Sequence, residues 1–138
     1  MTSLFIDSTV LLHAVGGPHP MREPSRILLG AAGESRVTLH ASVEAGQEFL
    51  FHRMRRVGGA QAAQEFRIVD RLVLWHSFDQ AVLRKSVELS SAGRIGGRDA
   101  VHAATAFLAG FNEIVSADRD FDGVPGLLRR SPADVPGS

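Results

Sequence analysis

The chain has 138 residues, 44% of them hydrophobic and 22% charged, and it contains no cysteine. That length buries a core within one domain, and the missing cysteine excludes disulfide scaffolds, thiolate zinc sites and thiol nucleophiles together, as suits a cytoplasmic protein. Fifteen basic residues cancel fifteen acidic ones, so bulk charge gives no support for nucleic-acid binding. No apolar run approaches the roughly 20 residues that span a bilayer, and no basic stretch precedes the first apolar residues, so neither a membrane span nor a signal peptide is expected.

In chain order, residues 3–6 read as a short strand that stops on Asp7, and a helix follows through Leu11, Leu12 and Val15. The segment "GGPHP" interrupts, and "EPSRILLGAAG" reads as a helix entered through Pro24 and stopped by Gly33. "RVTLH" is a β-branched strand candidate, and "ASVEAGQEFLFHRMRRVGG" is a long helix with Ser42 as its N-cap and Gly58-Gly59 as its stop. Along it Val43, Gly46, Leu50, Met54 and Val57 fall on one stripe, while Phe49 and Phe51 lie off it and leave apolar surface for a second contact. "GAQAAQEFRIVDRL" predicts a helix, "VLWHSF" a strand, "DQAVLRKSVELSSAG" an amphipathic helix from Asp79, and "GRDAVHAATAFLAG" a helix of small residues able to approach a sheet closely. "NEIVSA" is a strand, "GLLRR" a last short one, and "RRSPADVPGS" reads as a loose terminus. Strands alternating with helices predict an α/β fold with a parallel sheet and helices on both faces. The expected domain runs over residues 1–130, with a loose C-terminal tail over 131–138.

Four acids stand where a strand ends or a helix begins: Asp7, Glu44, Asp99 and Asp118. In a parallel sheet the carboxyl ends of the strands share one edge, so these four can converge although they span most of the sequence. Taken singly each has a plainer explanation. Asp7 and Asp99 serve equally as helix caps, Glu44 as a first-turn acid favoured by the helix dipole, and "SADRDFDG" as a turn. The coincidence of all four at the same kind of junction is what points to chemistry. Clustered carboxylates repel unless protons or cations lie among them, and hard oxygen donors without cysteine favour Mg²⁺ or Mn²⁺. One or two such ions can activate a water and stabilise a leaving oxygen in phosphoryl displacement.

The segments "FIDSTVLL", "HASVEAGQEFL", "GGRDAVHAATA" and "VSADRDFDGVPGL" together resemble the PIN-domain nucleases, most closely the VapC toxins of bacterial type II toxin–antitoxin modules. The resemblance runs from about Leu4 to Leu127 with the segments in the family's order. It implies a three-layer domain with a parallel sheet of four or five strands, and Mg²⁺- or Mn²⁺-dependent endoribonuclease activity in which a metal-activated water hydrolyses RNA. It also implies a homodimer and a small VapB-type antitoxin as partner. By resemblance Asp7, Glu44, Asp99 and Asp118 are the catalytic metal ligands, Asp120 is a supplementary acid, and Ser8 and Ser116 are hydroxyl neighbours. Asp122 is read as turn chemistry.

Only Lys85 is a lysine; the other fourteen cations are arginines, whose planar fork suits phosphates. Arg53, Arg55, Arg56, Arg98 and Arg119 are the candidates for holding an RNA backbone, with single-stranded or loop RNA the favoured target.

Competing readings are weaker. The spacing of Asp118, Asp120 and Asp122 echoes a calcium loop, but position 129 is Arg where that loop needs Glu. Six dispersed histidines give no HExxH motif for zinc, and His102 reads as a packing or hydrogen-bonding residue. Phospho-aspartate chemistry on Asp7 would want an aspartate at position 9, which is Thr. A housekeeping RNA-processing nuclease, or a non-catalytic interaction protein on the same fold, would keep the architecture and change the role.

Overall fold

The computed structural model describes residues 2–93 and 95–135. The opening apolar run forms β1 (Thr2–Phe5), and α1 (Ser8–Val15) follows, capped by Asp7. α2 (Arg22–Gly33) leads to β2 (Val37–Ser42), which turns without a loop into α3 (Val43–Val57). Ser42 makes that turn possible, because its Oγ accepts from the Ala45 N–H at 3.1 Å and satisfies a first-turn donor. Gly58 ends α3 at φ +84°, a conformation other residues reach only with strain, and its N–H closes on the Met54 carbonyl. Then come α4 (Gly59–Asp70), β3 (Val73–His76), α5 (Gln80–Ser91), α6 (Gly97–Leu108), β4 (Glu113–Val115) and β5 (Leu128–Arg130). A 3-10 turn over Arg119–Gly123 joins the last two strands, and a second over Pro132–Asp134 follows them.

All strand pairs are parallel. β1, β2 and β3 form one ladder in that order, and β4 and β5 form another. A single parallel bridge, Ile6 to Val115, joins the two ladders. From β1 the chain builds outward to β2 and β3, then returns to the other side of β1 with β4. The strand order therefore reverses between β1 and β4, and the crevice beyond their carboxyl ends is where ligands bind in open parallel sheets. Among the described residues, no helix is long and apolar enough to cross a membrane.

Two apolar clusters fill the molecule. One gathers Ile6, Leu11, Leu39, Phe49 and Val69 from the first ladder and its helices; the other packs Phe5, Ala103, Ile114 and Phe121 beneath α6. The small residues of α6 do what their size predicts: Ala100, Ala103, Ala104 and Ala106 are buried.

Two expectations need correcting. The core face of α3 is Ala45, Gly46 and Phe49, whereas Val43, Met54 and Val57 from the predicted stripe are 37–48% exposed. Phe49 is thus core, and only Phe51 of the two phenylalanines is exposed. The helix has two apolar sectors, and periodicity alone does not tell which one a sheet will cover. Trp75 from β3 selects the inner one, lying so close to Gly46 that a Cβ there would meet its ring at 3.0 Å. The segment from residue 131 is also not loose at its start. Pro132 is buried against α2, and Val135 joins the first core cluster. Residues 136–138 of the expected tail lie outside the described residues.

Candidate metal centre

Asp7 directly follows Ile6, the residue that bridges to Val115, and its carboxylate is buried. Oδ1 accepts from the Thr9 hydroxyl at 2.6 Å and the Thr9 N–H at 3.1 Å, while Oδ2 accepts from the Ser116 hydroxyl at 2.6 Å. The cap and the chemical role are therefore not alternatives: one oxygen starts α1 and the other faces the β4 side of the crevice. Burial pushes the Asp7 carboxyl above its ordinary range, against the opposing pull of Ser116, Thr9 and His102.

Ser116 links the two strand ends. Besides donating to Asp7, its Oγ accepts from the Asp118 N–H at 2.9 Å. Asp118 in turn caps the 3-10 turn, its Oδ1 accepting from the Asp120 N–H at 2.9 Å. Asp99 arrives from the first turn of α6. Carboxylate oxygens of Asp99, Asp118 and Asp120 all lie within 4.8 Å of one another. Burial, and then the Asp118 charge beside it, pushes the Asp99 carboxyl up to about 7, with Asp7 adding to the effect. Two like charges at such a separation repel by about 1 kcal/mol in water and more in a partly buried cleft. The arrangement asks for a cation.

The donor set fits a hard divalent ion. Every group is a carboxylate oxygen, the strand-end geometry leaves the cluster open to solvent on the Asp120 side, and a cation would relieve the repulsion that keeps Asp99 partly protonated.

Neither Asp7 nor any acid of α3, Glu44 included, is among the oxygens that meet; Asp7 joins them through Ser116, which bonds both Asp7 and the Asp118 N–H. Glu44 is half-buried in the first turn of α3, and the acid of this helix that reaches the site's network is Glu48, one turn later. Glu48 Oε1 lies 2.6 Å from His102 Nε2, and Ser42 Oγ lies 2.7 Å from His102 Nδ1. Both ring nitrogens of His102 are therefore occupied, one by the hydroxyl that caps α3 and the other by the Glu48 carboxylate. Ser8, the residue after Asp7, also bonds the Glu48 carboxylate, and Arg98 Nη1 stands 3.6 Å from Oε2. Burial works to raise the Glu48 carboxyl, but His102, Arg98 and Ser8 outweigh it and hold it below the ordinary range. Glu48 is thus tied to Ser8, the residue after Asp7, and to the helix that carries Asp99. The sequence carried a signal for it: Glu48 directly precedes the core residue Phe49, and His102 lies three residues after Asp99, on the same face of α6.

The arginines divide. Arg53 is held by Glu65 of α4, at 2.6 Å and 3.2 Å, with both side chains largely covered, so it braces two helices and is not available to a phosphate. Arg55 and Arg56 are exposed near the end of α3, Arg55 lying over the Phe51 ring. Arg98 and Arg119 are exposed next to the acids, in the first turn of α6 and between Asp118 and Asp120. Asp122 is bound by Arg129 and stays apart from the three meeting acids.

A parallel sheet with a switch point between β1 and β4, and acids gathered there from three separate segments, is the architecture of a PIN domain. The PIN domain model matches residues 4–127, and the chain belongs to that family. It is 32% identical over 132 residues to Ribonuclease VapC7 of Mycobacterium tuberculosis, an alignment covering 94% of this chain and 91% of the relative. Among solved structures, it resembles VapBC2 from Rickettsia felis bound to a promoter DNA fragment, with a TM-score of 0.74 at 16% identity, covering 94% and 98% of the two chains. It also resembles Mycobacterium tuberculosis VapC20, described as a sarcin-ricin loop cleaving toxin, with a TM-score of 0.71 at 15% identity over 90% and 98%. At those identities the two structures speak for the fold.

Proposed function

We propose that this protein is a metal-dependent endoribonuclease, the toxin of a toxin–antitoxin pair, and that it hydrolyses RNA phosphodiesters. The observation that carries the reading is the meeting of Asp99, Asp118 and Asp120 within 4.8 Å at the switch point, with buried Asp7 hydrogen-bonded into the same network. The 32% identity to a ribonuclease over nearly the whole chain supports the same activity.

In this reading Asp7, Asp99 and Asp118 hold Mg²⁺ or Mn²⁺, with Asp120 as a further ligand and Glu48, in place of Glu44, as the acid from α3. The ion supplies Lewis acidity and lowers the pKa of a water in the site. The protein's residues do the rest. Ser116 and Thr9 fix both oxygens of Asp7, so that its charge does not swing away from the cleft. Ser8 and His102 hold Glu48, and Arg98 and Arg119 offer exposed guanidinium groups to backbone phosphates on either side of the acids. No protein nucleophile is required, in keeping with a chain that has neither Cys nor Tyr.

The partners follow from the same reading: a VapB-type antitoxin and a second copy of this chain, in the cytoplasm. Apolar side chains stand ready for both, with Phe51 and Met54 exposed on α3 and Leu83 and Val87 exposed on α5. The similar structures from Rickettsia felis and Salmonella typhimurium are DNA-bound VapBC, and that from Klebsiella pneumoniae is a toxin–antitoxin complex, which supports the antitoxin assignment.

The decisive test is cleavage of single-stranded RNA by purified protein with Mn²⁺, with Mg²⁺ and with EDTA. Cleavage should need the ion and should be lost in Asp99→Asn. Cleavage that survives EDTA, or that Asp99→Asn retains in full, rejects the reading.

A further inference from the structure

The segment 116–122 carries Asp118 and Asp120, and both its ends are held by one side chain. Arg129, on β5, donates from Nε to Asp122 Oδ1 at 2.7 Å and from Nη1 to the Ser116 carbonyl at 2.9 Å, with Nη2 standing 3.5 Å from Asp122 Oδ2. Its side chain is 15% exposed. The backbone beside it contributes too, since the Ser116 N–H donates to the Arg130 carbonyl at 3.0 Å. Ser116 is thereby fixed on every polar atom: N–H and C=O by β5, and hydroxyl by Asp7 and Asp118.

Such a fixture has a job. Carboxylates brought within 4.8 Å of one another push apart, and the acids of this segment ride on a short 3-10 turn with few buried contacts beyond Phe121. Released at either end, the turn would relax outward and the site would have to be rebuilt on each binding event. A second hazard is Asp122 itself. Two residues from Asp120, an unpaired Asp122 would bring another negative charge to the same edge, and the guanidinium keeps it turned toward β5.

We propose that Arg129 is a positioning residue for the metal centre. By spanning Ser116 and Asp122, it holds Asp118 and Asp120 in register with Asp7 and Asp99 before the ion arrives. The inference rests on the metal-nuclease reading above and adds a residue to it.

The test is a Mn²⁺ titration of the full chain, followed by the EPR signal of free Mn²⁺, for wild type, Arg129→Met, Arg129→Lys and Asp122→Asn, with thermal unfolding of each metal-free protein alongside. Arg129→Met should weaken Mn²⁺ binding by about tenfold or more, as is typical when a group that orients a metal ligand is removed. Arg129→Lys should recover part of that loss, and Asp122→Asn, which keeps an acceptor for Nε, should cost less than Arg129→Met. RNA cleavage by Arg129→Met should need more Mn²⁺ yet return to within about twofold of the wild-type kcat at saturation, since the strut contributes no group to the reacting atoms. Mn²⁺ affinity within twofold of wild type in Arg129→Met, whatever its melting temperature, overturns the proposal and leaves an ordinary structural contact. If Arg129→Met does not fold, unchanged affinity in both Arg129→Lys and Asp122→Asn overturns it equally. A wild-type chain that binds no Mn²⁺ is a different failure: it removes the metal-nuclease reading, and this inference with it.

Discussion

Glu48 Oε1 and His102 Nε2 stand 2.6 Å apart, joining the middle of α3 to the helix that carries Asp99. The contact is mostly covered, with side-chain exposures of 15% and 2%, and Ser42 holds the far side of the ring. The pair therefore sets where the Glu48 charge points. Glu48→Gln should lower RNA cleavage at least tenfold at fixed Mn²⁺, whereas Glu44→Gln should leave it within about threefold, because only Glu48 is tied to the site. Cleavage rates of the two variants, measured side by side, decide the matter; the reverse order would return the role to Glu44.

Asp7 separates two functions that a single substitution can tease apart. Asn caps helices about as well as Asp, so Asp7→Asn should melt close to wild type and yet lose cleavage by at least a hundredfold, since the charge is gone while the cap remains. Asp7→Ala should lose both, with stability falling by about 1 kcal/mol from the missing cap. Melting curves and cleavage assays on the two variants check this, and an active Asp7→Asn would exclude the carboxylate from the chemistry.

The raised Asp99 carboxyl makes both metal binding and stability depend on pH. A cation binds the ionised form, so Mn²⁺ affinity should climb between pH 6 and pH 8, through the value of about 7, and level off above it. Metal-free stability should run the other way. The folded chain keeps a proton on Asp99 that the unfolded chain has already released above about pH 4, so folding takes up a proton in that window. Stability is then greatest at the acidic end of the window and declines as pH rises to about 7, with buried Asp7 acting in the same direction. Saturating Mn²⁺ should flatten the decline. A melting temperature of the metal-free protein that rises steadily from pH 5 to pH 8 would contradict this sign.

Arg53 and its neighbours test the division among the arginines. Arg53→Ala breaks the pair with Glu65 and should cost about 1–2 kcal/mol of stability, a few degrees in melting temperature, with RNA affinity little changed. Arg98→Ala and Arg119→Ala should do the opposite, leaving melting unaffected and weakening RNA binding with a shallower salt dependence. Thermal scans and RNA-binding titrations at two salt concentrations distinguish the groups.

Gly46 is a packing requirement that activity assays will also sense. Trp75 occupies the space where a side chain would begin, so Gly46→Val should destabilise the chain by about 1–3 kcal/mol. Because α3 carries Glu48, cleavage should fall along with stability. A Gly46→Val protein that melts like wild type would mean that Trp75 has room to move.

Much of this was readable in advance, and the misses have physical causes. That Asp99 and Asp118 meet, with Asp7 linked to them through Ser116, was legible because strand ends in a parallel sheet share an edge, so a one-dimensional pattern implied a place in space. Glu44 is the acid nearest the strand end, whereas the acid of α3 that bonds to the helix of Asp99 is Glu48. Glu48 is the one drawn to α6, because it flanks buried Phe49 and His102 comes within 2.6 Å of it, a contact that depends on packing and not on sequence distance. Arg53 looked like its neighbours until α4 brought Glu65 against it, a partner twelve residues away. The start of the last segment is held by the contact of Val135 with the first core cluster, a long-range contact that its local sequence does not announce.

The single bridge from Ile6 to Val115 has a final consequence. Asp7 and Glu48 precede β3 in the chain, whereas Asp99, Asp118 and Asp120 follow it, so the acids come together only when the two ends of the sequence pair. Neither portion alone carries the full set of acids. A chain cut between Ser77 and Asp79 should regain activity only when its two pieces find each other, which turns the enzyme into a reporter of its own reassembly.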